Sequence, residues 1–182
     1  MLKADRWIID QAKNSRMIEP FSESQIRAGI SFGTSSYGYD FRLSDEFKVL
    51  KTSFKDPIDP KNFPKDSFQD IKTDVLTIPA KSFILGRSLE YFRIPRNVLT
   101  VCFGKSSYAR CGVVINVTPF EPEWEGYATL SIINASQNDV KIYAQEGIAQ
   151  LLFLESDQEC MVSYQDKKGK YQAQKEITLP KV

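Results

Sequence analysis

Over residues 5–17 the apolar side chains Trp7, Ile8 and Ala12, with Ile9 less regularly placed, recur at the spacing of one helical face. Lys13 and Arg16 come late in this run, where cations suit the helix dipole, so the spacing predicts one amphipathic helix. The pattern then changes to short runs rich in Val, Ile, Phe and Tyr, broken by Gly, Pro, Asn and Asp: YGYDFRL, DVLTIPA, SFILGRSLEYFRIP, VLTVCFG, GVVINVTPF, YATLSII, VKIYA and AQLLFLES. These predict the strands of a β-barrel or sandwich. Residues 51–74 are punctuated by proline and dense in charge, and are expected to run over the surface without contributing core. From Gln165 onward the chain is polar and lysine-rich, and taken alone reads as a mobile, solvated tail. No repeat of fixed period and no low-complexity block appears, which excludes a solenoid or a propeller.

Composition narrows the chemistry more than the fold. A chain of 182 residues suits one domain, 1–182, which at this size buries roughly 70% of its unfolded surface. Twenty-four basic residues against twenty-three acidic give a formal charge of +1, so no global field holds a nucleic-acid backbone and any phosphate must be gripped locally. The chain has no histidine, which removes Ser-His and Cys-His nucleophile pairs, the HExxH site and the histidine-bearing zinc centre of common deaminases. Cys102, Cys111 and Cys160 are odd in number and form no CxxC pair; they read as buried small hydrophobes in a reducing cytosol, with no cage for zinc. The start lacks the apolar core of a signal peptide, and no stretch approaches about 18 apolar residues, so no membrane is involved and a cytoplasmic location is expected.

Four segments carry candidate chemistry. GKSSYARCG, 104–112, lies between two strand-like runs and sets a lysine, two hydroxyls and an arginine on one glycine-opened turn; it is either a triphosphate cradle, distinct from the P-loop pattern, or a short structural helix with surface charges. SFGTSSYGYDFRL, 31–43, reads as a tight turn feeding an edge strand. NVTPFEPEWEGYATL contains Glu121, Glu123 and Glu125, either a base or magnesium-water site or simply a solvated acidic loop. SYQDKKGKYQAQ, 163–174, is either a frayed terminus or a closing flap with Tyr164, Lys170, Tyr171 and Gln174.

In combination and in this order, SSYGYD, GKSSYAR, NVTPFEPEWEG, AQLLF and GKYQAQ resemble the deoxycytidine triphosphate (dCTP) deaminases, relatives of deoxyuridine triphosphatase, over essentially the whole chain. The resemblance implies a mainly β, distorted β-barrel of the dUTPase-like type with an N-terminal helix and a C-terminal flap, 164–182. It also implies a homotrimer with sites between chains, hydrolysis of dCTP to dUTP and ammonia without zinc, and Mg2+ accompanying the triphosphate. dTTP is implied as a further ligand. Lys105, Ser106, Ser107 and Arg110, with Tyr108 and Ala109 on the same turn, would bind the triphosphate and position water, Ser106 and Arg110 nearest the chemistry. Thr129 and Leu130 would line base and sugar, and Gln150, Tyr164, Lys170 and Gln174 would complete the site.

One position departs from the family. The glutamate that shuttles protons in the deaminases is expected at the end of a TLE triplet, and the triplet here is Thr129, Leu130, Ser131. A serine hydroxyl has no carboxylate-like pKa, and no histidine is present to activate it. Three functions therefore remain open: a working dCTP deaminase; a nucleotide-binding homologue, sensor or partner subunit, that has lost its general acid/base; and, by the resemblance to deoxyuridine triphosphatase, a triphosphatase releasing pyrophosphate, although the aspartate-bearing glycine-rich segment expected of one is not evident.

Overall fold

The computed structural model describes residues 1–181. Helix α1 spans Asp5–Ser15 and buries Ile8 and Ala12. It stops short of the expected residue 17 because Arg16 turns left-handed at φ 52°, its N–H bonded to Gln11 O, which frees Met17 and Ile18 to enter the core.

The strands are β1 Ile18–Glu19, β2 Gly33–Ser35, β3 Gly38–Leu50, β4 Phe68–Lys72, β5 Val75–Ile78, β6 Phe83–Arg93, β7 Val98–Gly104, β8 Val113–Asn116, β9 Glu125–Asn134, β10 Val140–Tyr143 and β11 Gly147–Glu155. A four-residue helix, α2, covers Ser106–Ala109. The main sheet runs β7-β11-β3-β6-β9-β8, and β5 pairs with β10 in a second ladder. Its two end strands lie against each other, with Gly104 of β7 packed on Ile115 of β8, so the sheet is a nearly closed barrel. Each predicted run became a strand, and every pairing in both sheets is antiparallel.

Alternation of burial along β6 and β9 sorts side chains by physics of the pleat. One face of β9 sends Ala128, Leu130 and Ile132 into the core; the other presents Tyr127, Thr129, Ser131 and Ile133 outward. On β6 the inward set includes Ile84 and Phe92 but also Ser88 and Glu90, both fully buried. Here the pairing of β6 shifts register toward β3 and β9, and Ser88 Oγ spans the gap, donating to Glu90 O at 2.7 Å and accepting from Ala128 N–H at 2.8 Å.

Three expectations are corrected. Residues 51–74 do contribute packing: β4 pairs with β3, and Phe68 stacks on Phe63 and meets Phe83 edge-on, each with 6.0 Å between ring centroids. The outward face of β6 is apolar at Phe83 and Leu85, and burying it needs this cover. The C-terminal stretch is likewise packed rather than a solvated tail. Trp124 Nε1 donates to Tyr171 O at 2.9 Å, Tyr171 N–H to Tyr164 Oη at 3.0 Å, and Ile177 is buried. Gln174 forms a parallel bridge to Gly126, whose φ of +143° and missing Cβ allow the two backbones to approach. The buried reading of the cysteines is corrected: Cys102 and Cys160 are half-buried and Cys111 is exposed, although desolvation still pushes the Cys102 thiol up to about 12. No helix among the described residues is long and apolar enough to cross a membrane.

Candidate nucleotide site

The outward face of β9, the outward face of β6, the 117–124 loop and the C-terminal segment enclose a cavity of about 880 Å³. Thr129 and Ser131 form its floor, with Leu85 and Asn116 the strand partners of Ser131 on either side. Ile58, Phe63, Phe68 and Phe83 close one end; Trp124, Tyr164, Tyr171 and Gln174 form the other. This space has the size and the mixed apolar and polar lining of a small-molecule site. Thr129 Oγ1 accepts from Thr178 N–H at 3.1 Å, and Gln174 Nε2 donates to Tyr127 O at 2.5 Å. Gln174 Oε1 is buried without a hydrogen-bond partner.

The phosphate-type turn lies elsewhere in the chain. Among the described residues, Lys105, Ser106, Ser107, Arg110 and Gln150 do not line that cavity. Lys105 follows β7, its N–H donating to Ile148 O at 3.0 Å, and its Nζ donates to Asp40 Oδ2 at 2.7 Å and Ser31 Oγ at 3.0 Å. Gln150 sits opposite Asp40 in the β11–β3 register and donates to Ser35 Oγ at 2.9 Å. Ser106, Ser107, Ala109 and Arg110 are exposed, and Arg110 has no ion-pair partner among the described residues. Tyr108 is the anchor of the turn: it is buried, and its hydroxyl accepts the Tyr143 N–H at 3.0 Å. Burial pushes that phenol up to about 12, so it stays a neutral hydroxyl.

The residues singled out in the sequence thus divide into two sets. Thr129, Ser131, Tyr164 and Gln174 gather at the cavity, while Lys105 to Arg110 follow the end of β7, beside the stretch of β11 that carries Gln150. Two side chains do not reach either opening. Leu130 points into the core, fully buried, and Tyr108 is occupied by β10. Lys170 Nζ donates to Lys181 O at 3.3 Å, folding the flap on itself.

The carboxylates near the WEG loop do not converge on Ser131. Glu121 lines the cavity but is ion-paired with Lys167; Glu123 is held by Arg96 at 2.6 Å; Glu125 faces Arg93 at 4.0 Å. Glu146 accepts Ile30 N–H at 2.7 Å. Arg96 also reaches Asp166 at 2.9 Å, and together with the Ser163 N–H it holds that carboxyl below the usual range, fixing the root of the flap. Among the described residues no group of three or more Asp, Glu or Cys is placed to hold a metal ion. Sequence reasoning missed Ile58, Phe63 and Asn116 as cavity lining and Asp40 as the partner of Lys105.

The barrel itself is the one seen in a crystal structure of a 2′-deoxycytidine 5′-triphosphate deaminase from Agrobacterium tumefaciens, with a TM-score of 0.65 at 14% identity. That match covers 85% of this chain and 48% of the other, so this chain spans about half the length of that one. The sequence carries the identification further, because residues 2–156 match the family described as dCTP deaminase-like, and the chain belongs to that family. Curated dCTP deaminases from Pseudomonas savastanoi pv. phaseolicola and Herminiimonas arsenicoxydans are 58% and 57% identical to it, each over 99% of this chain and 98% of the relative.

Proposed function

We propose that this chain is a dCTP deaminase, hydrolysing the 4-amino group of dCTP to give dUTP and ammonia in cytoplasmic deoxynucleotide metabolism. The observation that carries the reading is the end-to-end similarity to curated dCTP deaminases, which leaves no part of the fold unaccounted for. The cavity supplies the base site, with Thr129 and Ser131 on its floor and Tyr164, Tyr171 and Gln174 among its lining. Lys105, Ser106, Ser107 and Arg110 supply the triphosphate site, with Gln150 beside them. Mg2+ arrives as part of the nucleotide, held by phosphate oxygens and water. Asp40, the carboxylate in contact with the phosphate turn, is already bonded to Lys105.

Because the two sets occupy different parts of one chain, a complete site forms between copies, and we read the assembly as a homotrimer. Leu99 and Phe103 project from one face of β7, and Val114 from β8, all large apolar side chains left exposed. Leu99 is also a cavity-lining residue, so a second copy covering this stripe brings its own phosphate turn toward the cavity mouth. Phe103→Asp is expected to convert the trimer to monomers and abolish turnover while leaving the barrel folded, checked by sedimentation and circular dichroism; a monomeric wild-type chain with full activity would contradict it.

Within the site, water attacks C4, a tetrahedral centre forms and ammonia leaves. Ser106 and Arg110 position the water, the cavity holds the base away from solvent, and the lid segment 163–181 covers it. With Ser131 at the family's glutamate position, the protons are exchanged with solvent water, and turnover is slow. Ammonia release from dCTP and Mg2+ tests this directly. Saturable dCTP binding with no ammonia above an enzyme-free blank, at high enzyme concentration, would show a binder without turnover. dTTP shares the triphosphate and deoxyribose and is expected to compete. Removing Arg110, whose exposed guanidinium is free to bond phosphate, is expected to raise the KM for dCTP about 10- to 100-fold, the worth of hydrogen bonds between charged groups. An unchanged KM in Arg110→Ala would remove the phosphate turn from the site.

A further inference from the structure

The SSYGYD segment reads as a turn into a strand, yet it places a carboxylate against the phosphate turn. Asp40 lies on β3 and is 2% exposed, a depth at which a charged group needs partners. It has two: Lys105 Nζ at 2.7 Å and Gln25 Nε2 at 3.0 Å, both on Oδ2. The Lys105 side chain is itself only 13% exposed, and its Nζ has a second acceptor in Ser31 Oγ at 3.0 Å. An ammonium group carries three N–H donors. With two of them anchored on Asp40 and Ser31, the third has one direction left.

We infer that Asp40, supported by Gln25 and Ser31, is the positioning residue that aims Lys105 at the nucleotide's phosphates. The inference rests on the reading of Lys105 as a phosphate ligand. The pair Lys105–Asp40 is formally neutral, so it adds little long-range attraction; that comes from Arg110, which has no ion-pair partner among the described residues. Lys105 contributes a fixed donor instead of a mobile charge. Its supports are built in. Ile26 and Phe32 exchange backbone hydrogen bonds at 2.8 and 3.1 Å, closing the loop that carries Ser31, with Gln25 next to its first closing residue. Thr34 donates through its N–H and Oγ1 to Ser22 O at 3.1 and 2.9 Å, pinning the base of that loop. Strand β11 passes so close beneath Ser31 that a Cβ on Gly147 would lie 2.0 Å from Ser31 O. The loop is therefore seated on the strand that also presents Gln150.

The test compares Asp40→Asn and Gln25→Ala with wild type in the assembled protein, reading KM and kcat for dCTP and competition by inorganic tripolyphosphate and by deoxycytidine. Asp40→Asn is expected to raise the dCTP KM about tenfold and weaken tripolyphosphate competition equally, as a charge-assisted hydrogen bond is lost, with deoxycytidine competition unchanged. Gln25→Ala, at an exposed residue that threatens no core, should shift the same quantities about two- to threefold. On a Lys105→Gln background Asp40→Asn should add nothing, its target being gone. Tighter tripolyphosphate binding in Asp40→Asn would overturn the inference, because Asp40 would then merely oppose phosphate. Equal losses for tripolyphosphate and deoxycytidine would also overturn it, as a structural role predicts. If Asp40→Asn fails to fold, Gln25→Ala decides alone. A Lys105→Gln protein with unchanged dCTP affinity, while Arg110→Ala loses it, sinks this inference and spares the function; loss in neither variant sinks both.

Discussion

Replacing Ser131 by glutamate is expected to raise kcat for dCTP deamination by about 10²–10⁴-fold, the typical worth of a positioned general acid/base, with little change in KM. The geometry supports the gain. Ser131 lies on the outward face of β9 and lines the cavity, so a longer side chain at that position extends into open space of about 880 Å³ and leaves the core undisturbed. Its surroundings, Phe68, Phe83 and Leu85, are apolar, and such a setting raises a carboxyl's pKa toward the range where it can take a proton from water and return it to the leaving nitrogen. The control is Ser131→Gln, which has nearly the same size and shape but cannot shuttle a proton. Ammonia release that rises with glutamate and not with glutamine, and gains an acid limb in its pH profile, is the expected outcome. Equal rates in wild type, Ser131→Glu and Ser131→Gln would show that protons do not move through this position.

The same position shows how far sequence reading reaches. Alternation in EGYATLSIIN is regular enough to put Thr129 and Ser131 on one face and Leu130 on the other, and the structure places Leu130 in the core on that rule. Strand identity was legible wherever β-branched and aromatic residues alternated between turn residues, from YGYDFRL to AQLLFLES. The strands that escaped notice, β1, β2 and β4, span two to five residues and have no periodic signal of their own. They exist because longer neighbours offer unpaired edges. The excursion at 51–74 was misread for a related reason: proline and charge do mark a surface path, but Ile58, Phe63 and Phe68 are held down by an apolar outward face of β6 that only the assembled sheet presents.

The candidate residues could be picked out by type but not located in space. A lysine, two serines and an arginine on one turn signal phosphate binding, and nothing in their spacing reveals that Lys105 bonds Asp40, sixty-five residues away in sequence. Nor does it reveal that the cavity containing Ser131 excludes that turn within one chain. β7 gives Leu99, near its start, to the cavity on β6 and β9, while the turn follows its far end at Gly104, so the two sets are set apart along the strand and not by strand order.

Truncating Glu90 to alanine is expected to cost about 3–5 kcal/mol of stability, as breaking a buried pair by removing one partner does. Glu90 occupies an inward position of β6 where the pattern of SFILGRSLEYFR calls for an apolar side chain, and it is fully buried. It accepts from Arg42 Nε and from Arg42 N–H, each at 2.8 Å, and Tyr39 Oη lies 3.5 Å away. Alanine would strand the guanidinium and a backbone donor in the core at the register shift that joins β3 to β6. For a chain of this length the loss corresponds to roughly 6–20 °C in Tm, at about 2–4 °C per kcal/mol. Desolvation pushes the Glu90 carboxyl above its ordinary 4.5, against the pull of Arg42. The consequence for pH has a definite sign. Below 4.5 folded and unfolded chains both hold the proton; as pH rises above it the unfolded chain releases the proton first, so Glu90's contribution declines until its folded pKa is passed. Urea melts of wild type and Glu90→Gln, which cannot titrate, should show the wild-type advantage largest in acid and shrinking toward neutral pH. An advantage that grows with pH would mean that Arg42 outweighs burial, and would reverse the assignment of which force governs this charge in the barrel core.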